Sequence, residues 1–318
     1  MEYEQIAQLM PDFLLPLLQK QYSEEEIHAI FEGYAAPRYT TLRANTLLSS
    51  KEEVAGALGE AGIEFEEVPW YSDAFVITNA REKALWQMPL YQEGKVYLQS
   101  LSSMLPPLAL KPQAGNDILD MCAAPGGKTT QMATLGGKAC RITACELNAP
   151  RAERLEFNLG KQGANNVTVM REDSRKLSEY FRFDQILLDA PCSGSGTLRA
   201  TDVKLHRRFT EALVAKSVKS QLALLDKALQ LLKPGGSCVY STCSILEQEN
   251  EEVVRQAMAR ANKKGNFELV DLRQELQLGS VEGSMKVPLL PTSIEESLCI
   301  APTQYYEGFF MAKIKRKA

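Results

Sequence analysis

The sequence predicts an α/β fold in which an open, mostly parallel, doubly wound sheet follows a smaller α/β module. Two observations carry this expectation. From residue 117 onward, short apolar runs at 118–121, 142–145, 167–170, 185–188 and 237–240 alternate with helical stretches such as 150–162 and 216–232. Alternating β and α units build a parallel sheet covered by helices. In addition, Asp120, Glu146, Asp173, Asp189 and Thr242-Cys243 all fall at or just past the ends of these runs. Such sheets bind ligands beyond the carboxyl ends of their strands, near the point where strand order reverses. The coincidence therefore marks one shared site.

The elements before residue 117 follow in order. Residues 1–35 read as helical: Ser23-Glu24-Glu25-Glu26 is a capping box, Ile27, Ile30 and Phe31 share one face, and Gly33 is expected to stop the helix. His28 falls off that face and is expected at the surface. Residues 38–46 read as extended, 51–58 as helical, 63–68 and 74–77 as short strands, and 94–110 as a linker and helix. The expected organisation is a helical segment (1–35), a small α/β module with linker (36–110) and the doubly wound domain (111–318).

With 318 residues, 45% of them hydrophobic, the chain can bury the cores of two domains. It has no apolar run near the roughly 20 residues that span a bilayer, and Met1-Glu2-Tyr3-Glu4 lacks the basic flank of a signal peptide. The expectation is a soluble cytoplasmic protein, with no membrane partner and a monomer as the default state. None of the seven cysteines forms a CxxC pair and no histidine cluster accompanies them, so no metal site is expected. Cys140, Cys145, Cys238 and Cys299 read as buried reduced thiols. The net charge of −4 argues against a nucleic-acid partner, but it is unevenly spread. Residues 1–35 carry −6, leaving +2 for the rest. Arg199, Lys204, Arg207 and Arg208 form one basic stretch, and Lys313, Lys315, Arg316 and Lys317 a basic tail. Local positive fields can steer a phosphate backbone despite a negative sum. For the tail, a solvated frayed end is the preferred reading.

The segment Met121-Cys122-Ala123-Ala124-Pro125-Gly126-Gly127-Lys128-Thr129 invites comparison with a phosphate loop. The first glycine of that motif would have to stand at Cys122, and a GxGxxG pattern is absent too. What remains is a tight glycine turn that lets a ligand approach the backbone. Glu146 lies where a ribose-binding acid belongs, and Asp173 where a carboxylate could accept from an adenine amino group. A glycine turn, a ribose acid and an adenine acid suit S-adenosylmethionine.

Two thiols complete the pattern, Cys192 in Asp189-Ala190-Pro191-Cys192-Ser193 and Cys243 in Ser241-Thr242-Cys243-Ser244. Carbon 5 of cytosine is a poor nucleophile. A thiolate that adds to carbon 6 makes carbon 5 enamine-like, and so splits a hard step into easier ones. The attacking thiol needs surroundings that favour its thiolate, and a helix expected from about residue 246 could supply its N-terminus to Cys243. Asp189 could hold the amino edge and ring nitrogen of the base, and a second thiol could help release the enzyme. The base would have to be unstacked or single-stranded to enter.

These segments together resemble the Sun-type (Nop/Sun) family of RNA cytosine-5 methyltransferases. Besides the cofactor loop and the two cysteine motifs, Glu249-Asn250-Glu251 and Gly308-Phe309-Phe310-Met311-Ala312 resemble its downstream signatures. Arg43-Ala44-Asn45-Thr46 and the stretch from Gln99-Ser100 to Pro106 resemble segments ahead of its catalytic domain. The resemblance covers roughly residues 38 to 316. It implies a class I methyltransferase (Rossmann-like) sheet preceded by a small RNA-recognition-like domain, S-adenosylmethionine as cofactor, and ribosomal or transfer RNA as partner. It implies Cys243 as nucleophile, Cys192 assisting product release, and Cys122, Ala123, Ala124, Pro125, Gly126, Gly127, Lys128, Glu146, Arg151, Asp173 and Asp189 lining the cofactor and base site. DNA cytosine methyltransferases use the Pro-Cys cysteine instead. Glu146 and Glu307 stand where the family often has Asp. Two other readings stay open: a non-catalytic RNA-binding or assembly factor on the same fold, which degraded motifs would favour, and a nucleotide hydrolase using Gly-Gly-Lys-Thr, which the misplaced first glycine disfavours.

Overall fold

A computed structural model describes residues 3–137, 139–278, 283 and 285–318. Three helices open the chain: α1 (Tyr3–Leu9), α2 (Leu14–Leu18) and α3 (Glu24–Ala35). The capping box forms as the sequence predicts, with Ser23 and Glu26 bonding each other's backbone amides. Gly33 does not stop α3, which runs on to Ala35. Glycine is required there by close packing: a Cβ would lie 1.9 Å from the Pro302 carbonyl oxygen. His28 is half-buried rather than free at the surface, because its ring stacks on Tyr3 at 3.7 Å.

A small antiparallel sheet follows, built from β1 (Thr40–Ala44), α4 (Lys51–Glu60), β2 (Phe65–Glu67), β3 (Ala74–Ile77), α5 (Glu82–Trp86), α6 (Pro89–Gln92) and β4 (Val96–Leu98). Its order, β2-β3-β1-β4, is that of a split βαβ, ferredoxin-like unit. β4 lies inside the stretch read from sequence as linker, because three residues are too few to show a period. One face of this sheet (Leu42, Ala44, Phe75, Ile77) packs on α4 to α6. The other does not face solvent. Ala74 and Val76 join the core of the larger domain, and fully buried Arg43 donates to Gln99 Oε1 (2.9 Å), Thr130 Oγ1 (2.6 Å) and the Gly127 carbonyl (3.0 Å). The helix α7 (Leu101–Leu110), assigned from sequence to the small module, packs on the large sheet.

The large sheet comprises β5 (Asp117–Asp120), α8 (Gly127–Gly136), β6 (Arg141–Cys145), α9 (Ala149–Lys161), β7 (Val167–Met170), β8 (Phe183–Asp189), α10 (Leu205–Arg208), α11 (Glu211–Leu231), β9 (Leu232–Thr242), α12 (Glu251–Ala261), β10 (Phe267–Val270), α13 (Leu272–Glu275), β11 (Leu289–Leu290), β12 (Leu298–Ile300) and β13 (Phe309–Arg316). Strands run in the order β11-β12-β13-β9-β8-β5-β6-β7, with β10 also on β13. The five strands β7, β6, β5, β8 and β9, one side of the sheet, are parallel, as the alternation predicts. The strand order reverses between β5 and β8. Beyond β9 the sheet turns antiparallel, which the sequence reading did not foresee. The basic tail is accordingly no frayed end. Lys313 is buried against Glu275 (2.7 Å) and the Ala109 carbonyl (2.8 Å), and Arg316 donates to the Leu232 carbonyl (2.6 Å). Among the described residues no helix is long and apolar enough to cross a membrane.

Replacing Gly33 by Ala drives a methyl group into the Pro302 carbonyl, so Gly33→Ala is expected to lower unfolding stability by about 2 kcal/mol, read as a lower denaturant midpoint.

Candidate active site

The site forms along the carboxyl ends of the parallel strands. After β5 the chain makes the glycine turn and enters α8 through Gly126, whose φ of 107° is left-handed and strained for any side chain. Asp120, ending β5, is buried and accepts from Thr129 Oγ1 at 2.7 Å. Burial pushes its carboxyl up to about 6. Past β6, buried Glu146 accepts from the Asn148 amide (2.9 Å) and faces Arg151 at 3.4 Å. Arg151 in turn donates to the Ala124 carbonyl (2.9 Å) and so fastens the glycine turn. Past β7, Asp173 caps a short 3-10 turn and pairs with Arg175 at 2.7 Å. That pairing, with the hydrogen bonds from Arg175, holds its carboxyl below the usual range. Cys122, Glu146, Arg151 and Asp173 line one cavity of about 490 Å³.

A second cavity, of about 450 Å³, opens between the small sheet and the large one. Ala123, Ala124, Pro125, Gly127, Lys128, Asp189, Cys243 and Phe309 line it, and so does Cys122, at which the two cavities meet. Asp189, ending β8, is held from two sides: Lys128 Nζ at 2.7 Å and Ser241 Oγ at 2.8 Å. The Lys128–Asp189 pair thus spans the point where the strand order reverses. Cys243 follows β9 and lines the cavity. Cys192 stands behind it, sulfur to sulfur at 3.0 Å. The hydrogen bond to Cys243, then burial and the nearby charges, keep the Cys192 thiol well above its ordinary range. The expected helix N-terminus at Cys243 is not there. The chain passes through a 3-10 turn at Glu247–Glu249, and α12 begins only at Glu251.

What positions the two cysteine loops is a residue without a role in the sequence-based expectation. Glu249 is fully buried. Its carboxylate accepts from the Ser193 amide (2.7 Å) and Gln221 Nε2 (3.2 Å) on one oxygen, and from the Ser193 and Ser244 hydroxyls (2.5 and 2.6 Å) on the other. One carboxylate thereby ties the Cys192 loop to the Cys243 loop. Asn250 accepts from Thr242 Oγ1 (2.6 Å) and donates to the Ser244 carbonyl (3.0 Å). The N-terminal segment braces the same loops from behind, through Tyr34 of α3 to the Ser195 carbonyl and Tyr22, just before α3, to the Ile245 carbonyl, both at 2.7 Å. The sequence signals for this network are the Glu-Asn-Glu signature and the serines and threonine of the two cysteine motifs; the tyrosines, far away in sequence, carry no local pattern. Of the basic stretch, Arg199 lines the second cavity, while Lys204, Arg207 and Arg208 lie exposed on or beside α10. Cys140, Cys145, Cys238 and Cys299 are buried and free. Among the described residues no group of three or more His, Cys, Asp or Glu could hold a metal.

A doubly wound sheet with a glycine turn after its first parallel strand and acids after the next two defines a methyltransferase of the class I type. Residues 107–315 match the family described as 16S rRNA methyltransferase RsmB/F, and residues 10–82 match its ferredoxin-like domain. The chain belongs to this family. It is 35% identical over 316 residues to a ribosomal RNA small subunit methyltransferase F of Shewanella oneidensis, an alignment covering 98% of this chain and 64% of that one. It is 34% identical to a human 28S rRNA (cytosine(4447)-C(5))-methyltransferase, covering 96% of this chain and 38% of that one. It superposes on the crystal structure of a methyltransferase homologue from Pyrococcus horikoshii with a TM-score of 0.81 at 32% identity, covering 99% of this chain and 98% of that one. The chain therefore spans somewhat under two thirds of the length of the Shewanella relative. S-adenosylmethionine is the cofactor of this family. The residues present fit it: Glu146 and Asp173, carboxylates with only acceptor capacity, border a cavity that reaches the glycine turn at Cys122.

Removing the Glu249 carboxylate frees both loops at once. Glu249→Ala is expected to cost about 3 kcal/mol of stability and to speed alkylation of Cys192 by iodoacetamide, read by chemical denaturation and mass spectrometry. Asp120 binds its proton more tightly folded than unfolded, so its contribution to stability is lost as pH rises from about 4 through about 6. Asp120→Asn should flatten that part of the stability–pH profile, measured by denaturant midpoints at pH 4 and 7.

Proposed function

We propose that the chain transfers a methyl group from S-adenosylmethionine to carbon 5 of a cytosine in RNA through a covalent cysteine–cytosine adduct. The observation that carries this reading is the placement of the two thiols. Cys243 lines the cavity beside Asp189 and Lys128, Cys192 sits against it at 3.0 Å, and this cavity meets the one bordered by Glu146 and Asp173 at Cys122. Cofactor and base thus have adjoining chambers that meet at Cys122. When bound, S-adenosylmethionine supplies an electrophilic methyl group on a sulfonium. On the protein side, Cys122 and Arg151 border the cofactor chamber, Glu146 accepts from the ribose hydroxyls, and Asp173 accepts from the adenine amino group, while the rest of the glycine turn, from Ala123 to Lys128, borders the base chamber where the two meet.

In the base chamber, Asp189 accepts from the cytosine amino edge and stabilises a proton on the ring nitrogen, with Lys128 and Ser241 fixing its carboxylate. Cys243 adds through sulfur to carbon 6, which makes carbon 5 the nucleophile that takes the methyl group. Loss of the carbon 5 proton to solvent water, with its electron pair expelling the Cys243 thiolate from carbon 6, restores the aromatic ring. Cys192, protonated and in contact with Cys243, assists that release. The names of the relatives favour ribosomal RNA over transfer RNA as substrate, and a ribosomal substrate in a bacterial cell would put the enzyme in the cytoplasm.

Incubated with S-adenosylmethionine and total cellular RNA, Cys192→Ala is expected to give a nuclease-sensitive, slow-migrating band on a denaturing gel, and Cys243→Ala none. The reverse pattern would make Cys192 the nucleophile. No band from either variant would remove the support for a covalent route.

A further inference from the structure

Resting on the RNA reading above, we propose that the mouth of the base chamber holds a nucleotide adjacent to the target cytosine, its base stacked on the paired rings of Tyr39 and Tyr305. The chamber is walled at its mouth by segments remote from the cysteine loops. They are Arg38 to Thr40 leading into the small sheet, and Tyr305 in the loop before β13. The two tyrosine rings lie 5.1 Å apart and tilted by 47°. Each is half-buried and rests on the hydrophobic core, and the Tyr39 amide donates to the Gln304 carbonyl at 3.0 Å. The pair is thus a fixed platform, not two loose side chains. Neither hydroxyl has a protein partner among the described residues.

Tyr39 also divides two spaces. On its far side lies a smaller cavity of about 210 Å³, which shares Arg38, Tyr39 and Thr40 with the base chamber and reaches Arg81. Arg81 and Arg199 are exposed, and neither has a carboxylate partner among the described residues. A base drawn out of its stack leaves the neighbouring base with one bare face. Aromatic side chains replace that lost stacking without regard to base identity. Arginines beside them meet the phosphates on either side. The tyrosine pair flanked by Arg81 and Arg199 has this composition. No other aromatic pair borders the base chamber among the described residues.

The test compares the wild type, the double variant Tyr39→Ala/Tyr305→Ala and the double variant Tyr39→Phe/Tyr305→Phe. The probe is a short fluorescein-labelled single-stranded RNA with one cytosine, used intact and with abasic nucleotides on both sides of that cytosine. The alanine pair is expected to bind the intact probe about tenfold or more weakly, and the phenylalanine pair to stay within about threefold of the wild type. The abasic probe should cost the wild type a similar factor and the alanine pair almost nothing. In methylation of total RNA the loss should fall on KM for RNA rather than on kcat, with affinity for S-adenosylmethionine kept. Equal binding of the intact probe by the wild type and the alanine pair would overturn the proposal. If the alanine pair does not fold, the wild type and phenylalanine pair decide alone, and indifference of both to abasic neighbours overturns it. A wild type that transfers no methyl group to total RNA would defeat the functional reading itself, through a readout separate from probe binding.

Discussion

The catalytic half of this protein is organised around a carboxylate kept from water. A buried charge is tolerated only when its lone pairs are filled by donors in good geometry. Glu249 meets that condition with donors from the loop after β8, the loop after β9 and the helix α11. Each loop is held because the other is. The 3.0 Å contact between Cys192 and Cys243 follows from this tie. So does the placement of the thiols, one at the cavity wall and one behind it. The close approach of Gly196 and Gly308, where a Cβ on either would meet the other's backbone within 3 Å, adds the loop before β13 to the same block.

The second organising contact is the seam between the two sheets. Arg43 reaches from β1 into the glycine turn and α8, and its guanidinium also lies over the Tyr97 ring at 5.3 Å. Both faces of the small sheet are therefore occupied, one by its own helices and one by the larger domain. An open sheet face that could stack bases, as a free RNA-recognition module offers, does not exist here. The module instead contributes the segment that leads into β1 to the lining of the second cavity. The acidic N-terminal helices are likewise part of the catalytic block. Their apolar faces join its core and their tyrosines reach the backbone of the cysteine loops.

Much of this was legible in one dimension. The alternation of apolar runs and helices fixed the five parallel strands, because a strand buried on both faces needs a continuous apolar run. The acids at strand ends were legible because the fold gathers those ends on one edge. The antiparallel edge was not. In β13 the apolar Phe309 to Ala312 gives way to alternating Lys313, Ile314, Lys315 and Arg316, which reads locally as a charged tail. Only its pairing with β9 and β10 makes it a strand. Gly33 misled for a similar reason, since a glycine that serves a tight contact looks in sequence like one that ends a helix.

The sequence by itself determined the fold class, the family and the residue types available for chemistry, because these rest on local period and on short motifs whose spacing survives without the third dimension. The tertiary structure alone decided which thiol faces the cavity, that two cavities meet at Cys122, that Glu249 holds the loops, and that two tyrosines 266 positions apart meet beside one of those cavities. These are contacts between segments distant in sequence. No local pattern encodes them, because they exist only once the sheet has brought its strand ends to one edge and burial has forced each polar group to find its partner.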